Sequence, residues 1–529
     1  MRNLRLGEAA RLGGGIGRVL CLAGVLGAMV LTACGGGSGS GGASATPSGG
    51  AGGAENADAP VDTTKTTLRL GLNQEPPTWD FIKNDGTAIV EVLGWNVVES
   101  LMEQTDAGKL VPLLASKYEV SKDRRQYDFT IRDATFHDGS PLTADDVVYS
   151  LEQAQHRPTP SLAYKQVTSI EAVDSHTVRV TLKRPSQSFL GGMATTAGLI
   201  IKKGSAGTLA KNPIGTGPFV FTSYRHGVGL TLQRFDKYWG QKPVLKTVII
   251  RYITDATSMI NQFKAGQLDM IEPAPGTPEI DALKADSRYK VLNVHANSPT
   301  YLALNGSDPA FKDQRVREAI ALTIDRKALI DTTLNGDGTP ICVIASAGQA
   351  GYTNECPYQR DPERAKQLLQ EAGVKNLTLN LTQVREWGTN APDLIRSFLK
   401  PIGVNVKFVP VDWPKYVEKI LTNSPSYQMT YLAGPQEIDA WRCPGWFLKV
   451  CDRRVDALLD KADAAPTREQ YQSLRQQALL MFAKDAYLIP YQTWDIPNVR
   501  DAAIAGVSTT VVPMSEMDLR HVHWTKTTA

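Results

Sequence analysis

The sequence predicts a mixed α/β protein built from two or three lobes. The chain has 529 residues, of which 42% are hydrophobic, so it can form large cores but is too long for one ordinary domain. Segments that alternate polar and apolar residues, as strands do, recur between segments with apolar residues at helical spacing. No heptad run or repeat of about 20 to 50 residues is visible, which disfavours coiled coils and solenoids.

Strand and helix signals follow one another along the whole body of the chain. The predicted strands are 66–72, 127–132, 176–182, 219–224, 230–235, 247–253, 377–381, 404–409 and 488–492. The predicted helices are 87–102, one from 143, 258–265, one from 313, 362–372, 391–399, 453–464 and 468–483. The succession 377–381, 391–399 and 404–409 is a strand, helix and strand unit of the kind that builds sheets with helices outside.

The charge of the chain is concentrated at its beginning. Four arginines and one glutamate in residues 1–33 account for the whole formal charge of +3. The remainder is neutral, which disfavours a nucleic-acid partner because such a partner requires a basic face.

Residues 1–34 carry a processing signal. An arginine-bearing stretch precedes the apolar run 19–30, which is too short to span a bilayer comfortably. Residues 31–34 read Leu, Thr, Ala and Cys, the lipobox at which lipoprotein signal peptidase cleaves. We therefore expect 1–33 to be a lipoprotein signal peptide and Cys34 to be acylated, anchoring the protein to the bacterial membrane outside the cytoplasm. The alternatives are a secretory signal cut elsewhere and a buried apolar helix.

A tether follows Cys34. Residues 35–60 are nearly all Gly, Ser and Ala, with ten glycines and no large apolar residue. Such a segment behaves as a random coil with a root-mean-square span of about 28 Å. We assign 34–65 to the lipidated cysteine and the flexible tether.

Four further cysteines lie in the body. Their spacing predicts two local disulfides, Cys342 to Cys356 and Cys443 to Cys451, although three connectivities exist in principle. Metal ligation is the competing interpretation, but no CxxC motif or nearby histidine pair supports it.

Four sequence blocks occur in a fixed order along the body. They are residues 127–147 (YDFTIRDATFHDGSPLTADDV), 214–219 (IGTGPF) with 238–240 (YWG), 265–269 (AGQLD), and 304–326 from LN through RVREAI to IDR. With these blocks the chain resembles the family 5 extracellular solute-binding proteins, the oligopeptide- and dipeptide-binding subunits of ABC importers. The resemblance covers essentially residues 66–525.

The resemblance implies a two-lobed periplasmic-binding-protein-like fold with mixed sheets and an inserted subdomain in the first lobe. We expect the first lobe at 66–100, 214–303 and 490–529, the insert at 101–213 and the second lobe at 304–489. Two crossover segments would join the lobes, which close over the ligand, and the permease and ATPase subunits of the importer would then receive it.

The resemblance also implies candidate ligand-binding residues. A peptide would be held by main-chain hydrogen bonds along 427–435, its terminal ammonium by Asp439 or Glu437, with Asp439 preferred. The full candidate set is Asn73, Gln74, Arg385, Trp387, Trp413, Tyr431, Ala433, Glu437 and Asp439. Loop acids, a core tryptophan and an exposed strand-end arginine are the structural alternatives. Gly434 and Pro435 depart from the usual pattern, which weakens the case for a peptide.

Other function classes remain open. A secreted hydrolase is disfavoured because no GxSxG elbow, HExxH helix or Ser-x-x-Lys catalytic set is present, so we expect no catalytic residues, metal or cofactor. His521 and His523 share a strand face, but a metal site there is the weaker interpretation. The same fold could bind an oligosaccharide, nickel complex, haem or opine, or serve as an adhesin. We expect a monomer.

Overall fold

The computed structural model describes residues 60–84, 87–105, 109–157, 161–272, 279–385, 390–421, 425–433, 438–508 and 517–526. The strands in these ranges are β1 Thr67–Leu72, β2 Met102–Gln104, β3 Leu110–Pro112, β4 Ala115–Val120, β5 Gln126–Ile131, β6 Val167–Ala172, β7 Thr177–Leu182, β8 Phe219–Arg225, β9 Gly229–Arg234, β10 Thr247–Tyr252, β11 Met270–Glu272, β12 Tyr289–Leu304, β13 Gly338–Pro340, β14 Leu377–Val384, β15 Val404–Val411, β16 Met429–Ala433, β17 Leu488–Asp501, β18 Ile504–Ala505 and β19 His523–Trp524. The helices are α1 Thr87–Leu93, α2 Ala144–Gln155, α3 Gln187–Gly192, α4 Ala256–Lys264, α5 Glu279–Lys284, α6 Gln314–Ala321, α7 Arg326–Thr333, α8 Pro362–Glu371, α9 Asn390–Leu399, α10 Trp413–Lys419, α11 Arg453–Asp463 and α12 Arg468–Lys484.

Two long antiparallel strands connect the halves of a mixed sheet. The order is β15-β14-β16-β12-β17-β11-β1-β10-β9-β8, with β13 paired to β17. Strand β12 pairs with β16 near its end, whereas β17 pairs with β11 near its end. The long strands β12 and β17 are therefore the two crossovers of a two-lobed fold, with the first lobe on one side and the second on the other.

The inserted subdomain has its own sheet and core. Strands β4, β5, β7 and β6 form an antiparallel sheet in that order. Phe129, Val178 and Val180 on this sheet pack with Val147 and Leu151 of α2 in a hydrophobic cluster separate from those of the lobes. At the start of α2, where the sequence predicts a helix from 143, Thr143 and Asp146 form a capping box.

Helix α1 is shorter than the predicted helix 87–102, and this prediction was wrong beyond Leu93. Trp95 has φ of 56° and the chain turns sharply after it. The Asn96 side chain then bonds inside the core, donating from Nδ2 to the Met517 carbonyl at 2.7 Å. Local apolar spacing gave no sign of this tertiary contact.

The loop 214–219 packs tightly against the turn after α1. A Cβ atom on Gly215 would lie 1.9 Å from the Val97 carbonyl oxygen, and one on Gly217 would lie 2.7 Å from that of Asn96. Glycine is thus required here by close backbone approach. Gly139 has φ of 85°, as its position after Asp138 predicts.

Most of the predicted elements agree with the structure to within a few residues, but several observed elements had no prediction, among them β4, β6, α7 and α10. The prediction also gave 488–492 where β17 extends to Asp501, and gave no strand for most of β12.

Candidate ligand-binding cleft

The carboxyl ends of the parallel strands of both lobes face the middle of the crossovers. In the first lobe β1 runs parallel to β10 and β11, and Glu272 at the end of β11 accepts a hydrogen bond from Asn498 Nδ2 of β17 at 3.4 Å. In the second lobe β14 runs parallel to β15 and β16, and Ala433 at the end of β16 lies opposite Thr300 of β12. Ligands of open α/β sheets bind outside such strand ends, which makes this region the candidate site.

The first-lobe side of the site carries the residues that follow β1. Asn73 is half-buried and Gln74 is exposed. Glu75 is held away from them, because its carboxylate accepts bonds from the Tyr224 hydroxyl at 2.7 Å and the Gly227 amide at 3.0 Å. Burial acts to raise the pKa of Glu75, but these bonds and His226 lower it below its usual value.

The second-lobe side is formed by the ends of β14, β15 and β16. Arg385 is exposed at the end of β14. Val384 pairs with Val411, so Asp412 follows at the same edge, where its side chain caps α10 by accepting from the Lys415 amide at 2.9 Å. Trp413 is therefore the first residue of a helix that begins at this edge.

Tyr431 and its neighbour Gln383 are part of the sheet interior. The Tyr431 side chain packs in the hydrophobic core of the second lobe, and burial raises its pKa to about 12. The Gln383 side chain donates from Nε2 to the Tyr431 carbonyl. The ladder between β14 and β16 consists of the single pair Leu381 and Met429, so beyond it a side chain bridges the two strands.

Asp439 is the centre of a largely buried ion-pair cluster. Its Oδ1 accepts from Arg442 Nε at 2.8 Å and its Oδ2 accepts from Arg475 Nη1 at 2.6 Å. The Asp439 and Arg475 side chains are only 13% and 7% exposed. Burial acts to raise the pKa of Asp439, but the two guanidinium groups outweigh it and the pKa lies below its usual value. Asp439 therefore carries a charge that two arginines already balance.

The cluster extends to the inserted subdomain. Arg442 Nη1 also donates to Asp460 Oδ1 at 3.0 Å, and the same carboxylate oxygen accepts from Arg184 Nη2 of the insert at 3.0 Å. Beside this pair, Asp463 accepts from the Ser186 hydroxyl at 3.0 Å. A continuous chain of ion pairs thus links Arg184 of the insert to Asp439.

Several candidates lie outside the described residues. They are Trp387, Glu437, the side chain of Trp413 and the lipidation residue Cys34. Neither Arg442 nor Arg475 was among the predicted site residues. A signal for Arg475 was present: it shares one face of α12 with Tyr471, Leu479 and Phe482, where an apolar residue is expected.

Both predicted disulfides are confirmed: Cys342 is bonded to Cys356, and Cys443 to Cys451. Among the residues that the structure describes, no group of three or more His, Cys, Asp or Glu side chains is arranged to hold a metal ion. None of the helices in the described ranges has the length and hydrophobicity needed to cross a bilayer.

The sequence matches a known family model. Residues 109–437 match the family described as bacterial extracellular solute-binding proteins, family 5 Middle. The match covers most of the insert, the crossover β12 and most of the second lobe, including the second-lobe strands that end at the candidate site.

Proteins with different named ligands are similar to this chain. The dipeptide-binding protein of Escherichia coli is 28% identical over 349 residues, which are 59% of this chain and 65% of that protein. Heme-binding protein A of Haemophilus influenzae is 27% identical over 434 residues, 72% of this chain and 78% of that protein. The solved structure of the binding protein AgaA of A. tumefaciens with agropinic acid is 26% identical, covers 87% of this chain and 99% of its own, and has a TM-score of 0.71.

Proposed function

The chain belongs to the family 5 bacterial extracellular solute-binding proteins, and from this premise we propose that it captures peptides between its two lobes and delivers them to the permease of an ABC importer. The family match over residues 109–437 is the observation that carries the proposal. As a binding protein of an extracellular family it acts outside the cytoplasm, and its role is binding and not catalysis.

Two observations favour a peptide as the ligand. The relative from Escherichia coli is named as a dipeptide-binding protein. In addition, the ladder between β14 and β16 stops at Leu381 and Met429, so the backbone near Ala433 is a suitable place for an extended ligand to add as a strand. The ligands named for the other two relatives, haem and agropinic acid, make a non-peptide solute the second candidate.

Within this proposal the two acids after β16 have different roles. Asp439 is neutralised by Arg442 and Arg475, so we assign it to positioning the segment. Glu437 is then the carboxylate that receives the terminal ammonium of a peptide, in a charge-assisted hydrogen bond. The alternative is that Asp439 binds the ammonium directly. Peptide affinity distinguishes the two: Glu437→Gln weakens binding more than Asp439→Asn if Glu437 is the ligand, and less if Asp439 is.

The remaining candidates complete the site from both lobes. Arg385 would pair with a ligand carboxylate, and Trp387 and Trp413 would receive an apolar side chain. Asn73 and Gln74 would contact the ligand from the first lobe. Tyr431 has its ring in the core and its carbonyl bonded to Gln383, so a ligand contact would require a change at this residue.

The architecture assigned to this function places the insert at 101–213 and the second lobe at 304–489. The first lobe would comprise 66–100, 214–303 and 490–529, and closure of the two lobes would present the loaded form to the permease. We propose that Cys34 is lipidated after removal of 1–33, so that 34–65 tethers a monomeric binding protein near its importer.

Thermal unfolding of the purified protein tests the ligand class. Trialanine and a mixture of di- to hexapeptides are compared with haem and agropinic acid. A ligand at a hundred times its dissociation constant adds about 2.7 kcal/mol to the free energy of unfolding. We expect the peptides to raise the melting temperature and to be recovered intact by mass spectrometry.

Two outcomes contradict the proposal. If the peptides leave the melting curve unchanged while haem or agropinic acid shifts it, the ligand is not a peptide. If peptides are recovered cleaved in proportion to protein concentration, the protein is a hydrolase and not a binding protein.

A further inference from the structure

A cavity of about 730 Å³ lies at the base of the first lobe, beside the start of β1. Basic side chains from four separate parts of the chain line it, and the rings of Phe263 and Trp524 form part of its wall. The basic residues are Lys65, Arg69, Lys264, Arg288 and Lys526. The cavity is therefore cationic and partly apolar.

The two arginines are already neutralised. Arg69 donates from Nε to Asp269 Oδ2 at 3.0 Å and from Nη1 to the Gly266 carbonyl at 2.8 Å. Arg288 donates from Nε to Asp286 at 3.1 Å. These bonds fix the walls of the cavity and leave its remaining positive charge to the lysines.

The three lysines are exposed, and the five basic side chains of the cavity outnumber by one the carboxylates in and around it, which are Asp62, Asp269, Asp286 and Asp501. Lys65 lies 4.7 Å from the centre of the Trp524 ring, and none of the three forms an ion pair within the described part of the chain. The carboxylates that oppose them are Asp501 in the cavity wall and two near its rim. The rim carboxylates are Asp62, which interacts with Lys65, and Asp286, which interacts with Lys264.

A fourth lysine stands next to the cavity. The Lys246 amide donates to the Thr66 carbonyl at 2.7 Å, and its side chain is exposed. Because Thr67 and Thr247 are paired in parallel strands, Lys246 and Lys65 lie at the same end of the sheet. This end of the first lobe is thus basic in a body whose overall charge beyond residue 33 is zero.

The cavity is at the opposite end of the sheet from the cleft. Strand β1 runs from Thr67 beside the cavity to Leu72, after which Asn73 and Gln74 reach the cleft. Six residues of strand span about 20 Å. A group bound in the cavity therefore does not touch the ligand site.

The chain joins the body at the rim of this cavity. The Asp62 amide donates to the Trp524 carbonyl at 2.7 Å, and the Lys526 amide donates to the Pro60 carbonyl at 2.8 Å. Cys34 precedes Pro60 by 26 residues. If Cys34 is lipidated, which is part of the proposed function, the cavity is close along the chain to the membrane.

We propose that the cavity binds the phosphate of an anionic lipid headgroup and docks the first lobe on the membrane with the ligand cleft facing away from it. Lysines near an anionic leaflet each add a modest attraction that salt screens, so docking is reversible. Release from the lipid would let the tethered body turn its cleft to the permease.

Vesicle flotation tests the docking with the chain from residue 34 onward, carrying Cys34→Ser so that no lipid anchor contributes. At 100 mM salt we expect at least tenfold stronger partitioning to vesicles of phosphatidylglycerol and phosphatidylcholine than to phosphatidylcholine alone. The triple variant Lys65→Gln, Lys264→Gln, Lys526→Gln should lose most of that difference. The matched control Lys165→Gln, Lys366→Gln, Lys407→Gln changes the net charge equally at exposed sites elsewhere and should retain it.

Melting curves of both triple variants establish that they are folded, and a titration with inorganic phosphate provides the second arm. Equal loss in both variants would mean that only net charge matters and would overturn the proposal. The same holds if anionic vesicles are not bound at all, or if inorganic phosphate stabilises the protein while vesicles do not bind. Because neither lipidation nor peptide binding enters the assay, its failure leaves the proposed transport function untouched.

Discussion

Two buried carboxylates, one in each half of the molecule, differ in what surrounds them. Glu99 of the first lobe is fully buried and accepts hydrogen bonds from Thr216 Oγ1 at 2.8 Å, the Tyr238 hydroxyl at 2.7 Å and Trp239 Nε1 at 2.9 Å. Burial raises the pKa of Glu99 to about 7 despite these bonds and the more distant Arg520. Asp439 of the second lobe is bonded directly to two guanidinium groups, and its pKa is lowered.

The difference shows that the charge of the neighbouring groups, and not burial alone, decides whether the pKa of a buried carboxylic acid is raised or lowered. Neutral donors hold Glu99 in place but leave much of its desolvation uncompensated. The same donors explain two of the sequence blocks physically, because Thr216 of IGTGPF and Tyr238 and Trp239 of YWG converge on Glu99. Glu99 therefore links three segments of the first lobe by hydrogen bonds. Asp439 instead forms ion pairs with Arg442 and Arg475 beside the candidate ligand site.

The largest expected effect comes from breaking the Asp439 cluster. Asp439→Ala removes the carboxylate that is bonded to both Arg442 and Arg475, and removal of one partner of a buried ion pair costs about 3 to 5 kcal/mol. Urea unfolding at pH 7 measures the loss. A loss below about 1 kcal/mol would show that the cluster is solvated and that the contrast with Glu99 is wrong.

Glu99→Gln tests the other carboxylate through pH. Because the pKa of Glu99 is raised from 4.5 to about 7 by folding, the native state binds a proton more tightly than the unfolded state, and stability falls as pH rises between these values. The free energy of unfolding of the wild type relative to Glu99→Gln should decrease from pH 4.5 to 7 by on the order of 3 kcal/mol. A difference that is constant or grows with pH contradicts this account.

The Cys443–Cys451 disulfide closes the loop that follows Asp439 and should have a somewhat smaller effect. Replacing both cysteines by serine releases a loop of 8 residues, which costs roughly 2 to 3 kcal/mol by loop entropy. The Cys443 amide also lies 3.4 Å from the Asp456 carboxylate, in the helix that carries Asp460. We therefore expect the losses of unfolding free energy from this substitution and from Asp439→Ala to be non-additive when both are combined. Additive losses in urea unfolding would show that the disulfide loop and the Asp439 cluster are energetically independent.

The smallest effect is expected where the cluster reaches the surface. The Arg184 and Asp460 side chains are each 44% exposed, and ion pairs of this kind contribute about 0 to 1 kcal/mol. Arg184→Ala should change the free energy of unfolding by less than about 1 kcal/mol and lose its effect in high salt. A larger loss would mean that the insert and second lobe are coupled through this pair.

The sequence predicted the parts of the fold that local patterns encode. Strands such as β5 and β7, the capping box at Thr143 and both short-range disulfides follow from residues close together in the chain. Most of β12 and the part of β17 beyond residue 492 were not predicted, because Pro299 and Pro497 interrupt the apolar alternation of these strands.

For the candidate site, the sequence located the acidic segment but not its partners. Asp439 and Arg475 are 36 residues apart, and only the packing of α12 brings them together. The roles of Arg385, Trp413 and Glu437 stay predictions.

We propose that a carboxylate after β16 holds a ligand between the lobes, whereas Glu99 stabilises the fold and does not contact the ligand. Isothermal titration with the best-bound peptide of the panel tests it in the wild type, Glu437→Gln and Glu99→Gln. Loss of a charge-assisted hydrogen bond of about 1.5 to 3 kcal/mol predicts at least roughly tenfold weaker binding for Glu437→Gln, and Glu99→Gln should bind within about twofold of the wild type. Unchanged affinity in Glu437→Gln together with a large loss in Glu99→Gln would contradict the account.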